Sequence, residues 1–167
     1  MEKIYLLLQC QNVATMTSFI GDITCKIESK GRLLFPSVFK KQLEKNDDKF
    51  VIKKDIYEKC LILYTFDEWE RQIAILRKKL NLYNKDHSRF LREFYKNTAE
   101  LTLDSSNRIL IPRNLLELVD IEKEIVMLGL DSKIEIWAKE VYDNMETDDN
   151  EFADLAQNIL GNIDLND

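Results

Sequence analysis

The apolar and polar residues of this chain recur with two periods, one typical of strands and one typical of helices. Over residues 19–27 every second position is apolar or small, which predicts a half-buried strand. From residue 66 to residue 80 the apolar positions lie three or four apart, which predicts an amphipathic helix. Similar spacing predicts a second helix over residues 85–96. The chain is therefore predicted to be an α+β protein, mainly β, with helices flanking the strands.

One nine-residue phrase occurs twice. Residues 28–36 read Glu-Ser-Lys-Gly-Arg-Leu-Leu-Phe-Pro, and residues 104–112 read Asp-Ser-Ser-Asn-Arg-Ile-Leu-Ile-Pro. The offset is 104 − 28 = 76 residues, and Ser, Arg, Leu and Pro are identical across it. After each phrase come a short helical pattern, two apolar strands and a further helix, in the same order. Matching order over about 55 residues predicts an internal duplication.

The duplication divides the chain into five predicted parts. Residues 17–80 form the first repeat and residues 98–145 the second, with a connecting helix at 81–97. Residues 1–16 match nothing in the second half, and we expect a disordered extension there. Residues 146–167 form an acidic tail with one possible amphipathic helix. Because each repeat is near the lower size limit for an independent core, the two are expected to pack together.

Each phrase is predicted to turn the chain tightly. Gly31 and Asn107 occupy equivalent positions, and these residue types tolerate a left-handed backbone best. The proline that ends each phrase keeps the preceding residue extended and suits the first turn of a helix. Further along, Thr65 and Glu68 have the spacing of a capping box at the start of the helix that follows.

The same turns place an acid four positions before an arginine, with Glu28 before Arg32 and Asp104 before Arg108. A carboxylate at the entrance of a turn accepts bonds from backbone amides or holds the arginine by a charge-assisted bond. Arginine is also the side chain best shaped to bind phosphate oxygens or the edge of guanine. From the residues alone, a structural ion pair and a nucleic-acid contact both remain open.

The charge of the chain is unevenly distributed. The net charge is −6, but residues 143–167 hold eight acids and no base, which leaves 24 bases and 22 acids in the body. Residues 71–96 carry eight bases against two acids, and we interpret this stretch as a solvated helix face. Since no apolar run approaches the roughly 20 residues of a membrane span, we expect a cytoplasmic protein without membrane contact.

Catalytic and metal chemistry have little support in the sequence. Three cysteines are widely spaced and His87 is the only histidine, so neither a disulfide framework nor a multi-histidine metal site is indicated. The chain has only four glycines and no glycine-rich phosphate loop. We therefore expect no cofactor, no metal and no enzymatic activity. An enzyme using Cys25 or Cys60 is the most distant alternative, because no base stands near either.

The repeated phrase resembles the tandem AbrB-type repeats of the MraZ family of bacterial transcriptional regulators. Residues 66–70 (Phe-Asp-Glu-Trp-Glu) are similar to the helix opening of that family, and residues 135–140 (Glu-Ile-Trp-Ala-Lys-Glu) to its closing phrase. The resemblance spans residues 17–142. Glu28 stands where the family usually has Asp, Asn107 replaces Gly, and Ala138 replaces a common Ser.

The resemblance implies a swapped-hairpin, double-split β-barrel built from the two halves of one chain. It further implies a ring of roughly eight or more subunits, associated with the nucleoid, that binds short direct repeats of double-stranded DNA in the promoter of its own division and cell-wall gene cluster. By the same resemblance, the DNA contacts fall to Lys26, Lys30, Arg32 and Arg108, and the supporting turn residues are Glu28, Gly31, Asp104 and Asn107. Ser106 replaces the equivalent of Lys30, so the first half is expected to bind more strongly.

Two alternatives accompany this hypothesis. The nearer one is another swapped-hairpin protein, an antitoxin with a toxin-binding tail, although such antitoxins usually carry a single repeat. The other is a structural ring protein in which the arginine turns join subunits and do not meet DNA.

Overall fold

A computed structural model describes residues 17–44, 47–145 and 148–161 of the chain. The predicted N-terminal extension, residues 1–16, lies outside the described residues, as do positions 146–147 and 162–167 of the predicted tail. The strands are β1 Phe19–Lys26, β2 Arg32–Leu34, β3 Lys49–Lys54, β4 Leu61–Thr65, β5 Thr98–Thr102, β6 Arg108–Leu110, β7 Glu124–Asp131 and β8 Lys133–Ala138. The helices are α1 Ser37–Gln42, α2 Phe66–Lys79, α3 Lys85–Tyr95, α4 Arg113–Leu118, α5 Lys139–Asp143 and α6 Asp149–Leu160.

The described strands form two antiparallel sheets, which confirms the α+β class. The larger sheet has six strands in the order β1-β7-β8-β4-β3-β5, and the smaller is a ribbon of β2 and β6. The first strand of each half pairs with a strand of the other half: β1 pairs with β7, and β5 pairs with β3. The two halves are therefore interleaved, and neither completes its sheet alone.

A closed barrel is not confirmed. In the described residues β1 and β5 are the two end strands of the larger sheet, and no ladder joins them. The ribbon remains a separate sheet because β2 and β6 have three residues each and pair with one another. An isolated bridge between Ile27 and Leu33 connects the end of β1 to β2. No continuous ladder therefore links the ribbon to the larger sheet in the described residues.

The hydrophobic core lies between the larger sheet and the short helices, and it confirms the predicted alternation in β1. Phe19 and Ile27 are buried, while Ile23 and Cys25 pack against the core from the same strand face. Both repeats supply the rest of the core, and its largest fully buried side chains include Phe39, Phe50, Leu33, Ile109, Ile111 and Leu115. Each such side chain contributes about 1.5–3 kcal/mol on burial, so the mixed core joins the halves firmly.

The connection between the halves is helical, as predicted. Thr65 caps α2 by accepting a hydrogen bond from the amide of Glu68 at 3.3 Å. The reciprocal bond of a capping box is not formed, because the Glu68 carboxylate instead accepts from Arg71 at 2.7 Å and from Gln72 at 2.6 Å. A charged donor one turn along binds a carboxylate more strongly than a neutral backbone amide does. No helix in the described ranges is both long and apolar enough to cross a membrane.

Candidate nucleic-acid interface

The two repeated phrases fold into the same turn. The amide of Glu28 donates to the carbonyl of Arg32 at 2.8 Å, and the amide of Gly31 donates to the carbonyl of Glu28 at 2.8 Å. In the second half, Asp104 donates to Arg108 at 2.8 Å and Asn107 donates to Asp104 at 2.9 Å. Gly31 has φ of 84° and Asn107 has φ of 56°, so the predicted left-handed residues are confirmed.

Each turn also binds the other half of the chain. The amide of Ile111 donates to the carbonyl of Gly31 at 2.9 Å, and the amide of Phe35 donates to the carbonyl of Asn107 at 2.8 Å. These bonds are equivalent under the duplication, since Phe35 and Ile111 each precede the proline of their phrase. A Cβ at Gly31 would overlap the carbonyl oxygen of Ile111. Glycine is required there both for its backbone conformation and for the close approach.

The ribbon that leaves these turns has one buried face and one outer face. Leu33 pairs with Ile109 in the middle of the ribbon, and both side chains are buried. Side chains directly opposite each other in an antiparallel pair share a face. The outer face therefore carries two cross-strand pairs, Arg32 with Leu110 and Leu34 with Arg108.

Two leucines on this outer face are unusually exposed. Leu34 is 63% exposed and Leu110 is 55% exposed, each directly opposite one of the two arginines. Contiguous apolar patches rimmed by polar residues mark contact sites, and these two leucines add apolar area beside the arginines. Sequence reasoning missed them, although the period-two alternation after each turn points Leu34 and Leu110 to the same face as the arginines.

Arg108 is held by the carboxylate of its own turn. One Asp104 oxygen accepts from the amides of Ser106 at 2.8 Å and Arg108 at 2.9 Å, and the other accepts from Arg108 Nε at 3.2 Å. The backbone N–H of Arg108 is the largest influence holding the pKa of the Asp104 carboxyl below its ordinary value. The predicted carboxylate brace is thus present in the second half, where it fixes the turn and one side of the guanidinium.

The first half is arranged differently. Within the described residues no hydrogen bond or ion pair joins the Glu28 carboxylate to Arg32. Glu28 is one methylene longer than Asp104, so it does not reproduce the compact geometry of the second turn. Arg32 and Lys30 are both exposed. Lys26 lies 3.8 Å from Glu124, with its side chain 71% exposed. Lys26 ends β1, Lys30 lies in the turn and Arg32 begins β2, so residues 26–32 carry three exposed cations.

The basic residues of the 71–96 stretch and Lys53 do not belong to the candidate interface. All eight bases of the 71–96 stretch are exposed, as a solvated helix face requires. Lys53 is an exception among the lysines, because it is buried with its ammonium 4.1 Å from the centre of the Phe94 ring. That ring stacks on Trp69 at 5.8 Å, so Trp69 is a packing residue. Burial takes the Lys53 side chain out of the candidate surface and also lowers its pKa.

The cysteines offer no reactive thiolate in the described part of the chain. Burial raises the pKa of the Cys60 thiol to about 12 and also raises the pKa of Cys25. The thiolate is the nucleophilic form, so both groups are poor nucleophiles near neutral pH. His87 accepts a hydrogen bond from the amide of Asn81 at 2.9 Å. No group of three or more potential metal ligands occurs among the described residues.

Comparison with known proteins agrees with this arrangement of two similar halves. The sequence profile of the family described as "MraZ protein, putative antitoxin-like" matches the chain twice, over residues 18–93 and 94–162. Proteins named transcriptional regulator MraZ are similar over most of their length. The one from Christiangramia forsetii is 39% identical over 155 residues, which cover 90% of this chain and 97% of the relative.

Two further relatives carry the same name. The protein of Phocaeicola vulgatus is 37% identical over 144 residues, covering 86% of this chain and 94% of its own. The protein of Bacteroides fragilis is 34% identical over 146 residues, covering 87% of this chain and 92% of its own. With two family matches in tandem and relatives that align almost end to end, the chain belongs to the MraZ family.

Proposed function

We propose that this chain is a transcriptional regulator that binds double-stranded promoter DNA through the outer face of the β2–β6 ribbon. The observation that carries the proposal is that Arg32 is exposed and has no carboxylate partner among the described residues. The DNA-contacting residues would be Lys26, Lys30, Arg32 and Arg108. The name of the relatives supports a regulator and not an enzyme.

A two-stranded ribbon is a known way for a protein to enter the major groove. That groove of B-form DNA is about 12 Å wide and accepts a two-stranded β-ribbon. Arg32 and Arg108 would then reach base edges, where a bidentate bond to guanine discriminates by about 1–3 kcal/mol. Leu34 and Leu110 each lie opposite one arginine and would contact thymine methyl groups, the apolar feature of the same groove.

The two halves of the chain would contribute unequally to DNA binding. Arg108 is already bonded to Asp104, so turning its guanidinium toward a base requires that this bond be shared or broken. Arg32 has no such competitor, and Lys30 beside it adds a phosphate contact that Ser106 cannot supply. The first half would therefore provide most of the affinity and most of the base discrimination.

Assembly of several subunits would raise the affinity for DNA, because the same weakly binding surface would be present many times. One subunit offers about four cations, and phosphate-driven binding of that size is weak at physiological salt. We propose a ring of roughly eight or more subunits that meets short direct repeats in the promoter of its own division and cell-wall gene cluster. Each additional contact then forms at high effective concentration, provided that the repeat spacing matches the subunits. The interleaved halves would form the double-split barrel unit of this ring.

A gel-shift experiment tests the proposal. The full chain is titrated onto the DNA upstream of its own gene and onto a scrambled fragment of equal length and composition. The proposal predicts a shift of the upstream fragment at a protein concentration at least tenfold lower than that needed for the scrambled one. Equal binding would refute sequence recognition, and absence of binding to both would favour the structural ring protein. Binding that appears only together with a toxin-like partner would favour the antitoxin alternative.

A further inference from the structure

A small pocket lies between the end of β3 and α3, the helix that connects the two halves. Its volume is about 290 Å³, near the lower end of the range for small-molecule sites. Three apolar side chains form part of its lining, namely Ile56, Phe90 and Phe94. Ile56 is 53% exposed and Phe90 is 41% exposed, so this apolar surface is open to a molecule from solution. The pocket, defined by these three residues together with Lys53, is called the Lys53 pocket below.

Lys53 occupies a position of β3 where an apolar residue is expected. Successive side chains of a strand point to opposite faces, so Lys53 shares a face with Val51. Val51 belongs to a buried cluster with Trp69 and Ile73 of α2, which shows that helices cover this face of the strand. Lys53 is only 4% exposed, although lysine is almost never fully buried unless it is paired. The identity of its partner is therefore the question that the fold raises here.

The ammonium of Lys53 has no anionic partner in the described part of the chain. It lies 4.1 Å from the centre of the Phe94 ring, and no hydrogen bond or ion pair of this group is found among the described residues. The nearest acid in the sequence, Asp55, instead accepts from the backbone amides of Tyr57 at 2.7 Å and Glu58 at 2.8 Å. Burial lowers the pKa of Lys53, because removal from water disfavours its charged form. A bound anion that accepts a hydrogen bond from the ammonium would offset this cost.

The other charged groups of the pocket already have partners. Lys54 Nζ donates to two backbone carbonyls at 3.1 and 3.3 Å. Lys96 Nζ lies 3.8 Å from the carboxylate of Glu93, and both residues line the pocket. Among the lining residues, Lys53 is thus the cation whose ammonium meets no protein oxygen in the described structure. One open ammonium suits a singly charged carboxylate, and the negative charge of Glu93 disfavours a doubly charged phosphate.

We propose that the Lys53 pocket binds a small monocarboxylate with an apolar body. The carboxylate would accept a hydrogen bond from Lys53 Nζ, and the body would pack on Ile56, Phe90 and Phe94. Because Lys53 is on β3 and Phe94 is on α3, an occupant would join the connecting helix to the sheet. No residue of β2 or β6 lines the pocket, so the site is separate from the ribbon and does not depend on DNA binding.

Calorimetry on the full chain without DNA tests the proposal with three probes. Phenylacetate carries both a carboxylate and an apolar ring, 2-phenylethanol carries the ring without the charge, and inorganic phosphate carries charge without the ring. Phenylacetate should bind saturably, about tenfold or more tightly than 2-phenylethanol, because a hydrogen bond between charged groups is lost in the alcohol. An excess of phosphate should not displace it. Displacement by phosphate would contradict the ligand class, and absence of saturable phenylacetate binding would overturn the proposal.

Three variants locate the site. Lys53→Met keeps an unbranched apolar stem and removes the charge, so phenylacetate should bind about tenfold or more weakly while 2-phenylethanol stays within about twofold. Lys49→Met is the matched control, because Lys49 is an exposed lysine at the start of the same strand and does not line the pocket. It should leave the affinity for both probes unchanged. Phe90→Ser removes an exposed apolar wall and should weaken the binding of both probes.

The variants also state what would refute the site. Unchanged phenylacetate affinity in Lys53→Met would make Lys53 a packing residue only, and an equal loss in Lys49→Met would show a general effect of charge. Unchanged affinities in Phe90→Ser would place the apolar body elsewhere, and this variant decides the matter even if Lys53→Met does not fold. As an independent readout, phenylacetate should raise the midpoint of thermal unfolding of the natural chain more than that of Phe90→Ser. Equal shifts would contradict the proposal.

Discussion

Arg32 and Arg108 lie at diagonal corners of the outer face of one ribbon, and only Arg108 is bonded to the acid of its own turn. The register pairs Arg32 with Leu110 and Leu34 with Arg108, so both arginines share a face. Arg108 Nε lies 3.2 Å from Asp104, while no ion pair of Arg32 is found in the described ranges. A duplicated sequence has thus produced one braced and one unbraced arginine. The two turns differ in the length of this acid, because Glu28 corresponds to Asp104 and is one methylene longer.

The turn at Gly31 should be the most sensitive backbone position of the interface. Gly31→Ala forces a side chain into a left-handed backbone and against the Ile111 carbonyl, whereas Gly21→Ala meets open space at φ of 112°. Both variants place an alanine at a positive φ, which costs about 1–2 kcal/mol. Gly31→Ala should lower the free energy of unfolding by about 1–3 kcal/mol more than Gly21→Ala does, measured by urea denaturation. Equal losses would mean that the approach to Ile111 is not close in solution.

The carboxyl of Asp104 should titrate below its ordinary pKa of 3.8. A depressed pKa means that the brace is fully formed above the ordinary pKa and is lost as the pH falls through the lower, folded value. Carboxyl-carbon NMR of the folded protein measures this midpoint. Because the Arg108 backbone amide is the largest cause, Arg108→Ala should retain most of the depression. A return to the ordinary value in Arg108→Ala would assign the effect to the guanidinium instead.

Substitutions of Lys30 and of Arg32 should impair DNA binding in different ways. Lys30 is an exposed cation on the turn, so Lys30→Ala should weaken binding to promoter and scrambled DNA equally. The slope of log affinity against log salt should become shallower by about 0.9 for each lost phosphate contact. Fluorescence anisotropy at several salt concentrations gives both quantities. If Lys30→Ala weakened promoter binding alone, Lys30 would be reading bases, and the division of roles would be wrong.

Local backbone chemistry could be predicted from the sequence, while long-range pairing and side-chain partners could not. Gly31, Asn107 and the Thr65 cap were predictable because each depends on residues within four positions. The exchange of β1 and β5 between halves depends on pairings 45 or more residues apart, for which the residues alone give no register. The resemblance to the family implied the exchange, but the closed barrel that it also implied is not confirmed.

The surroundings of individual side chains could not be predicted from the sequence either. Lys53 looks like any surface lysine in the sequence, but it lies over Phe94 because β3 is covered by α3 on that side. Glu68 looked like the second half of a capping box, and it binds Arg71 instead. Neither outcome follows from spacing alone, since both depend on which partner lies closest after packing. The assignment of Lys26, Lys30, Arg32 and Arg108 to DNA stays a prediction.

The central claim is that the Arg32 guanidinium contacts promoter DNA, and the most direct measurement compares Arg32→Ala with Arg77→Ala. Arg77 is an exposed arginine of α2, which is not part of the ribbon, so Arg77→Ala removes the same charge from a different surface. In fluorescence anisotropy at physiological salt, Arg32→Ala should bind the promoter fragment at least tenfold more weakly, because one bidentate contact is worth about 1–3 kcal/mol. Arg77→Ala should stay within about twofold of the natural chain, and light scattering should show the same assembly size for all three proteins. Unchanged binding by Arg32→Ala, or loss of the assembly in that variant, would contradict the account.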